Sequence, residues 1–332
     1  MSLFHFERIF NLRLSLLLTG VLFIGVTQAG EYQDPLDQPS INMQVSQKSL
    51  LLDGAMAGSR LVAVGERGHI IYSDDQGEKW QQADVATRSH LNAVQFVNEK
   101  LGWAVGEDGI ILNTQDGGLS WQHQADGRDA QQKGPLLDLY FKNAKEGFAV
   151  GVFNKIFHTL DGGHSWQPWQ DNIDNEDEWH LFAMSAVDQH LYIASEMGLV
   201  FRSLDGGKKF EQVQTDHDGS FHGVLARKGL SGQDELVLFG VGGVVYTSLN
   251  SGETWLQLDT ATEDGLSGGV WLDDGSALIV GANGVMVKLD RSLTAVSTEH
   301  TRSAEPLSGV FSRSASPHIA LGLGGLHKLP KL

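Results

Sequence analysis

With no cysteine among its 332 residues, this chain has no thiol nucleophile, and its candidate catalytic side chains are carboxylates. Two carboxylates about 6.5–9.5 Å apart across a groove can hydrolyse a glycosidic bond with inversion. Asp138 with either Glu107 or Glu196 is the candidate pair. A sialidase would also need an arginine cluster and a tyrosine nucleophile, and no tyrosine stands where that role requires one. We assign no catalytic residue and predict a protein that is not an enzyme. A glycan-binding or glycoside-hydrolase-type protein is the alternative.

Histidine is abundant, with 13 residues, which raises the question of a metal site. The densest group is Asp216-His217-Asp218 with His222, but its spacing is neither helical nor that of a zinc knuckle. The lack of cysteine also excludes disulfides, iron–sulfur clusters and thiolate ligands. The glycine-rich phrases described below separate two strands and do not open a helix, so they are not phosphate-binding loops. We predict no metal and no cofactor.

The charge balance is acidic, with 24 Lys+Arg against 41 Asp+Glu and a net charge of −17. Such a chain is repelled by the phosphates of nucleic acids, so no nucleic-acid partner is expected. The same charge predicts a basic surface on a protein partner and an association that weakens as salt rises.

The first 29 residues differ from the rest of the chain. Arg8 and Arg13 precede an apolar run at 14–26, and Thr27-Gln28-Ala29 places small residues at a cleavage site. This pattern is typical of a secretory signal peptide, and the run is shorter than the ~20 apolar residues of a membrane span. We predict cleavage after Ala29, export to the periplasm, no stable membrane insertion afterwards and a polar lead-in at 30–39. An uncleaved anchor is the alternative.

The remainder is a repeat, built around a phrase of the form V-G-x-x-G. The phrase occurs seven times at spacings of 41 to 45 residues, beginning at Val64, Val105, Val150, Ala194, Phe239, Val280 and Leu321. An apolar run stands on each side of it, so its centre is predicted to be a hairpin turn. Glycine or asparagine at its last position supplies the positive φ that such turns need.

A second phrase, S/T-x-D-x-G-x-x-W, follows five of the seven turns and is the Asp-box pattern. We expect its carboxylate to accept hydrogen bonds from the amides of its own turn and its aromatic residue to pack on the sheet. The role is structural. The residues concerned are Asp75, Trp80, Asp116, Trp121, Asp161, Trp166, Asp205, Phe210, Asn250 and Trp255.

Four short strands in each of seven repeats predict an all-β, seven-bladed β-propeller over residues 40–332. In the second repeat the predicted strands are 91–97, 102–105, 110–114 and 121–124. The seventh repeat ends after its third strand, which would leave an open edge. The strand-like segment 41–46 is therefore predicted to supply the missing strand and close the ring.

The stretch W-A-V-G-x-x-G-x-I-L-x-T-x-D-G-G-x-S-W at 103–121 resembles the Ycf48/HCF136-like family of photosystem II stability and assembly factors. The similarity covers about residues 40–330. It implies a seven-bladed propeller that docks a protein subunit of a membrane or envelope complex during its assembly, and it raises the possibility of a role in photosynthesis. Asp boxes also occur in sialidases, xyloglucan hydrolases and sortilin, so the resemblance implies the fold more strongly than the function.

Two features depart from the photosynthetic members of that family, which carry a lipobox cysteine or a transit peptide and an arginine-rich patch that meets their client. This chain has neither a lipobox cysteine nor a transit peptide. Its arginines after the signal peptide are spread over the repeats, at Arg60, Arg67, Arg88, Arg128, Arg202, Arg227, Arg291, Arg302 and Arg313. These residues do not indicate a photosystem client.

In a propeller, the turns between second and third strands share one face with the loops that lead from blade to blade; we call this the funnel face. The opposite side, with the Asp boxes, is the Asp-box face. The funnel face combines acids with the aromatic residues Phe153, Trp169 and Trp179, and its loops vary in length, as recognition surfaces do. It is predicted to bind a partner, either protein or glycan. The candidate residues are Glu66, Arg67, Asn92, Glu107, Asp108, Asp138, Phe153, His180, Glu196 and His222.

Overall fold

The second strand of each repeat is buried along almost its whole length, because neighbouring repeats cover both sides of every sheet. This is why these strands are continuous apolar runs without polar alternation. The structure is a computed structural model that describes residues 33–128, 134–311 and 318–329. Each repeat forms an antiparallel meander, and seven meanders make seven blades, as predicted.

The strands follow the same order in every blade. The first strands line a central channel and are β1 (Leu51–Ala57), β6 (Leu91–Phe96), β10 (Leu136–Phe141), β14 (Leu181–Val187), β18 (Phe221–Lys228), β22 (Leu266–Trp271) and β26 (Leu307–Val310). The second strands are β2 (Arg60–Gly65), β7 (Gly102–Gly106), β11 (Gly147–Gly151), β15 (His190–Ser195), β19 (Asp234–Gly240), β23 (Ala277–Gly281) and β27 (Ile319–Gly322).

The third strands are β3 (Ile70–Ser73), β8 (Ile111–Thr114), β12 (Ile156–Thr159), β16 (Leu199–Ser203), β20 (Val245–Ser248), β24 (Val285–Leu289) and β28 (Gly325–Lys328). The fourth strands are β4 (Gln81–Gln82), β9 (Ser120–Ala125), β13 (Gln167–Pro168), β17 (Glu211–Gln214), β21 (Leu256–Leu258) and β25 (Val296–His300). A short strand, β5 (Asp84–Val85), pairs in parallel with β9 and ties blade 1 to blade 2.

Every first strand contains a β-bulge directly after its first residue, where the pairing with the second strand shifts by one. The bulge turns the second residue of the strand toward the channel, which has a volume of about 450 Å³. These second residues are Leu52, Asn92, Leu137, Phe182, His222, Ser267 and Ser308.

The blades are held together by large aromatic side chains at their interfaces. The Trp103 and Phe141 rings stack with centroids 3.5 Å apart, and Trp166 meets Phe141 edge-on at 5.8 Å. Trp103 and Phe141 are buried, so blades 2 and 3 share one apolar cluster. Such burial stabilises the contact between neighbouring blades.

The segment 41–46 does not complete the last blade, so this prediction is wrong. It forms no strand and lies along blade 1. Gln82 Nε2 donates to the Ile41 carbonyl at 2.9 Å, and the Met43 amide donates to Gln82 Oε1 at 3.0 Å. Within the described residues, blade 7 is formed by β26, β27 and β28 alone.

Chain length explains this difference. The shortest connections between a fourth strand and the next first strand are six residues long, at 215–220 and 301–306. A strand at 41–46 would leave only 47–50 to reach β1. The chain instead forms a 3-10 turn at Ser46–Lys48 beside β28, and the Gln47 carbonyl leaves no room for a Cβ atom at Gly325. The N-terminal segment thus takes the place of the connector that leads from one blade to the next, and it does not supply the fourth strand of blade 7.

The lead-in packs on the propeller from Asp34 onward and belongs to the same compact unit. Leu36 is 5% exposed and joins the apolar cluster of blades 1 and 2. The Pro35 carbonyl accepts from the Arg88 amide, and Arg128 Nη1 donates to both carboxylate oxygens of Asp37 at 2.9 Å. We call residues 34–43 the strap. The signal-peptide prediction for residues 1–29 lies outside the described residues.

Candidate docking face

The hairpin tips of the funnel face have two consecutive residues with positive φ. The last residue of each phrase is glycine or asparagine, as predicted, with φ from +57° at Asn154 to +94° at Gly325. The residue before it also has positive φ, and in five blades this residue is not glycine. These residues are Arg67, Asp108, Phe153, Met197 and Asn283, with φ between 53° and 59°. A left-handed aromatic or unbranched apolar residue costs about 1 kcal/mol or more, so stability does not explain Phe153 and Met197.

Three channel residues join neighbouring blades by the same contact. Asn92 Nδ2 donates to the Leu136 carbonyl at 2.9 Å, and Ser308 Oγ donates to the Leu51 carbonyl at 2.6 Å. His222 Nδ1 lies 3.3 Å from the Leu266 carbonyl. In each case the bulged residue of one first strand contacts the first residue of the next. Asn92 and His222, predicted as partner-binding residues, thus also stabilise the ring.

Asp138 lies inside the channel, one residue deeper than the bulge, and its carboxylate accepts from the Met184 and Leu139 amides at 2.7 Å. Asp53 occupies the equivalent position in blade 1 and accepts from the Val94 amide at 2.8 Å. Burial away from water raises the pKa of Asp138 to about 7 and that of Asp53 to about 6. Sequence reasoning missed Asp53, although its alignment with Asp138 in the repeat identifies it.

The acidic tips of blades 1 and 2 are held by local hydrogen bonds. Glu66 Oε1 accepts from the Leu50 amide at 3.2 Å, and Asp108 Oδ2 accepts from Ser89 Oγ at 2.8 Å. Glu107 Oε1 lies 3.4 Å from Asn92 Nδ2. The strap reaches this part of the funnel face, where Ser40 Oγ donates to the Arg67 carbonyl. The strap residues had not been predicted as part of the face.

A line of rings leads from the tip of blade 3 into the channel. Phe153 is 64% exposed, and its ring centroid lies 4.6 Å from that of His180. His180 is followed by Phe182 at 6.0 Å, and Phe182 by His222 at 5.4 Å. Glu196 contacts His180, with its Oε2 atom 3.3 Å from the Nδ1 atom of the imidazole. Three predicted residues, Phe153, His180 and Glu196, therefore meet in one place.

The two tryptophans expected on the funnel face are only partly accessible. Trp169 and Trp179 pack against the apolar cluster of blades 3 and 4. Trp169 Nε1 donates to the Gly207 carbonyl in the Asp box of blade 4 at 2.8 Å, so the placement of Trp169 on the funnel face is wrong. Phe153 is therefore the exposed aromatic residue among the three.

The Asp boxes lie at the opposite ends of the blades, between third and fourth strands, and make the expected contacts. Asp161 accepts from the Ser165 amide at 2.9 Å and from Ser165 Oγ at 2.6 Å. These hydrogen bonds lower the pKa of Asp161 to about 2. The Thr159 hydroxyl accepts from the Gly163 amide, and the other four boxes repeat this contact. Trp121 and Phe210 are fully buried, whereas Trp80 and Trp255 are half-buried.

Two further properties hold for the part of the chain that the structure describes. No three histidine, aspartate or glutamate side chains come close enough to form a metal-binding group. No helix there has the length and apolar character needed to cross a membrane.

The fold is shared with solved propellers. The structure described as YCF48 bound to D1 peptide superposes with a TM-score of 0.68 and 19% sequence identity, covering 89% of this chain and 96% of that chain. At this identity the likeness shows the fold alone.

Two curated relatives match parts of the sequence. The chloroplastic photosystem II stability/assembly factor HCF136 of Cyanidioschyzon merolae is 29% identical over 100 residues, which are 28% of this chain and 23% of that protein. The photosystem II assembly protein Ycf48 of a Synechococcus species is 44% identical over 45 residues, 13% of this chain and 14% of that protein. The alignments thus span less than a quarter of each relative.

The family model described as photosynthesis system II assembly factor YCF48 matches residues 25–115, 73–134 and 129–303. Together these matches cover blades 1 to 6. The chain therefore belongs to the YCF48 family of seven-bladed propellers.

Proposed function

We propose that this protein is an exported, non-catalytic propeller that binds a protein partner on its funnel face and acts as an assembly or stability factor for a membrane or envelope complex. Membership of the YCF48 family supports a role in assembly. A solved relative is described with a bound D1 peptide, which supports a protein as the ligand class. The predicted signal peptide supports a periplasmic location.

The observation that carries the proposal is the difference between the two faces. The Asp-box hairpins repeat one hydrogen-bonding pattern five times and leave little room for variation. The funnel-face connectors range from six residues at 215–220 to ten at 126–135. Because loops of variable length on a rigid scaffold are suited to recognition, the funnel face is the better binding surface.

The candidate carboxylates support a binding role over hydrolysis. Asp138 is held by two backbone amides, Glu196 by His180, and Glu107 lies near Asn92. Each carboxylate is thus committed to a different local contact. A general acid and base for glycoside hydrolysis must instead face one another across a substrate.

Capture of the native partner tests this proposal. One variant reverses three funnel-face charges, Glu107→Lys, Asp108→Lys and Glu176→Lys. The control reverses three lysines of the Asp-box face, Lys79→Glu, Lys208→Glu and Lys209→Glu. We expect the first variant to lose the partner in pull-down from the source cell envelope and the control to keep it. The opposite result would place the binding surface on the Asp-box face.

A further inference from the structure

Three exposed apolar residues stand at equivalent hairpin tips of three adjacent blades. Phe153 in blade 3 is 64% exposed, Met197 in blade 4 is 46% exposed and Val241 in blade 5 is 48% exposed. Phe153 and Met197 also adopt positive φ, of 53° and 54°. Exposed apolar area and a strained backbone both reduce stability, so their joint presence points to binding.

The surroundings of these tips carry a concentrated negative charge. We define the acidic sector as residues 152–155, 175–180, 196–198, 215–220 and 241–243. It contains six carboxylates and a single lysine, Lys155. The carboxylates are Glu176, Asp177, Glu178, Glu196, Asp216 and Asp218, of which all but Glu196 are exposed.

The lone cation of the sector is already engaged. Lys155 Nζ lies 6.0 Å from the centre of the Phe153 ring, and burial lowers its pKa. It is the one lysine beside six carboxylates, so the sector keeps a net negative charge. The face of the Phe153 ring accepts a cation, which shows the type of group that this platform suits.

The Asp-box face of the same three blades differs in charge. Its loops at 142–146, 160–166, 169–174, 188–189, 204–210, 229–233 and 249–255 hold seven carboxylates and four lysines. They also expose apolar side chains, with Leu160 at 67% and Leu204 at 46%. Apolar exposure is thus similar on both faces, while the carboxylates outnumber the lysines six to one in the acidic sector and seven to four on the Asp-box face.

From this combination we infer that the acidic sector binds a cationic amphipathic segment of a partner protein, with lysine or arginine side chains beside an apolar anchor. The anchor packs on Phe153 and Met197, and the cations meet the carboxylates at 175–180 and 215–220. Charge complementarity sets the orientation and speeds association, while the apolar contact at the tips holds the complex. The inference rests on the proposed function and specifies its partner.

Synthetic peptides test the inference with the purified protein. The probe is a fluorescent peptide of alternating lysine and leucine pairs, and one control peptide has glutamate in place of lysine. A second control peptide has serine in place of leucine. Binding is followed by fluorescence anisotropy at about 50 mM and about 500 mM salt. We expect only the lysine–leucine peptide to bind, with weaker binding at the higher salt.

Matched variants locate the binding. Phe153→Ser with Met197→Ser should weaken peptide binding about tenfold or more, while Leu160→Ser with Leu204→Ser should leave it unchanged. Phe153→Gly, which suits the positive φ, should reproduce the loss without destabilising the fold. Circular dichroism melting confirms that each variant is folded.

Several outcomes would overturn the inference. These are no binding of the lysine–leucine peptide, equal binding of the glutamate peptide, unchanged binding by the Phe153/Met197 variant, or loss in the Leu160/Leu204 variant. A Phe153-dependent dimer in size-exclusion chromatography would assign the surface to a second copy instead. If capture of the native partner still depends on the funnel face while peptide binding fails, the proposed function stands and this inference alone is wrong.

Discussion

The imidazole of His180 lies 4.6 Å from the phenyl ring of Phe153, although the two residues belong to different blades. Glu196 fixes that imidazole from a third element, with a 3.3 Å contact to Nδ1. The exposed ring of Phe153 is therefore supported by an imidazole that Glu196 holds in place. A supported aromatic residue loses little conformational entropy on binding, which suits it to be an anchor.

Replacing Phe153 separates binding from folding. In Phe153→Gly the residue at φ 53° becomes one that adopts this conformation freely, so the turn should gain about 1 kcal/mol or remain unchanged. Partner capture should fall. Urea unfolding measures the free energy of unfolding. A loss of several kcal/mol would instead identify Phe153 as a packing residue.

The two channel aspartates predict a pH-dependent contribution to stability. The pKa values of Asp53 and Asp138 are raised to about 6 and about 7 from 3.8. The folded protein thus keeps these protons to higher pH than the unfolded chain does. Their contribution is fully present below about pH 4 and is lost as pH rises through about 6 and 7.

Asp138→Asn tests this dependence. The variant keeps an oxygen acceptor for the Met184 amide but does not titrate, so its free energy of unfolding relative to wild type should increase from pH 4 to pH 8. Burial lowers the pKa of His222 and His217, which gives the opposite slope in the same range. Because both proteins contain these histidines, the difference between their free energies of unfolding cancels the histidine contribution. A difference that is constant with pH would contradict the prediction.

The Asp boxes should matter for stability alone. Asp161→Ala leaves the Ser165 amide and hydroxyl without their acceptor, which should lower the free energy of unfolding by about 1–3 kcal/mol. Partner capture by the folded variant should be unchanged. Lost capture at an unchanged melting temperature would assign the Asp box to binding.

The strap should stabilise blades 1 and 2. Leu36→Ala removes an apolar side chain that is 5% exposed, and about 2 kcal/mol or more of stability should be lost. Limited proteolysis of the variant should cut within 34–43 before the blades are degraded. Equal resistance of variant and wild type would show that Leu36 contributes nothing to the seating of the strap.

The sequence predicted the architecture because each repeat carries its own local signals. In the second repeat, β6, β7, β8 and β9 agree with the predicted bounds within one residue. The positive φ of Gly68 and its counterparts followed from turn chemistry. Because these signals occur in all seven repeats, the fold could be predicted from them.

Closure of the ring could not be predicted in this way, because the segment 41–46 has a strand-like composition and the deciding constraint is the length of the following connection. The candidate site was also predicted only in part. The propeller topology placed Phe153, His180 and Glu196 on one face, but the contact between them depends on side-chain packing between blades. Composition did not show that Trp169 turns inward to the Gly207 carbonyl.

The central claim is that the partner meets the funnel face, and one matched pair of residues tests it most directly. Phe153 and Leu160 belong to the same blade, lie on opposite faces and are 64% and 67% exposed. A photo-crosslinking amino acid is placed at each position in turn, and the protein is irradiated in the native cell envelope. We predict a partner adduct from position 153 and none from position 160. An adduct from position 160 alone would contradict the account.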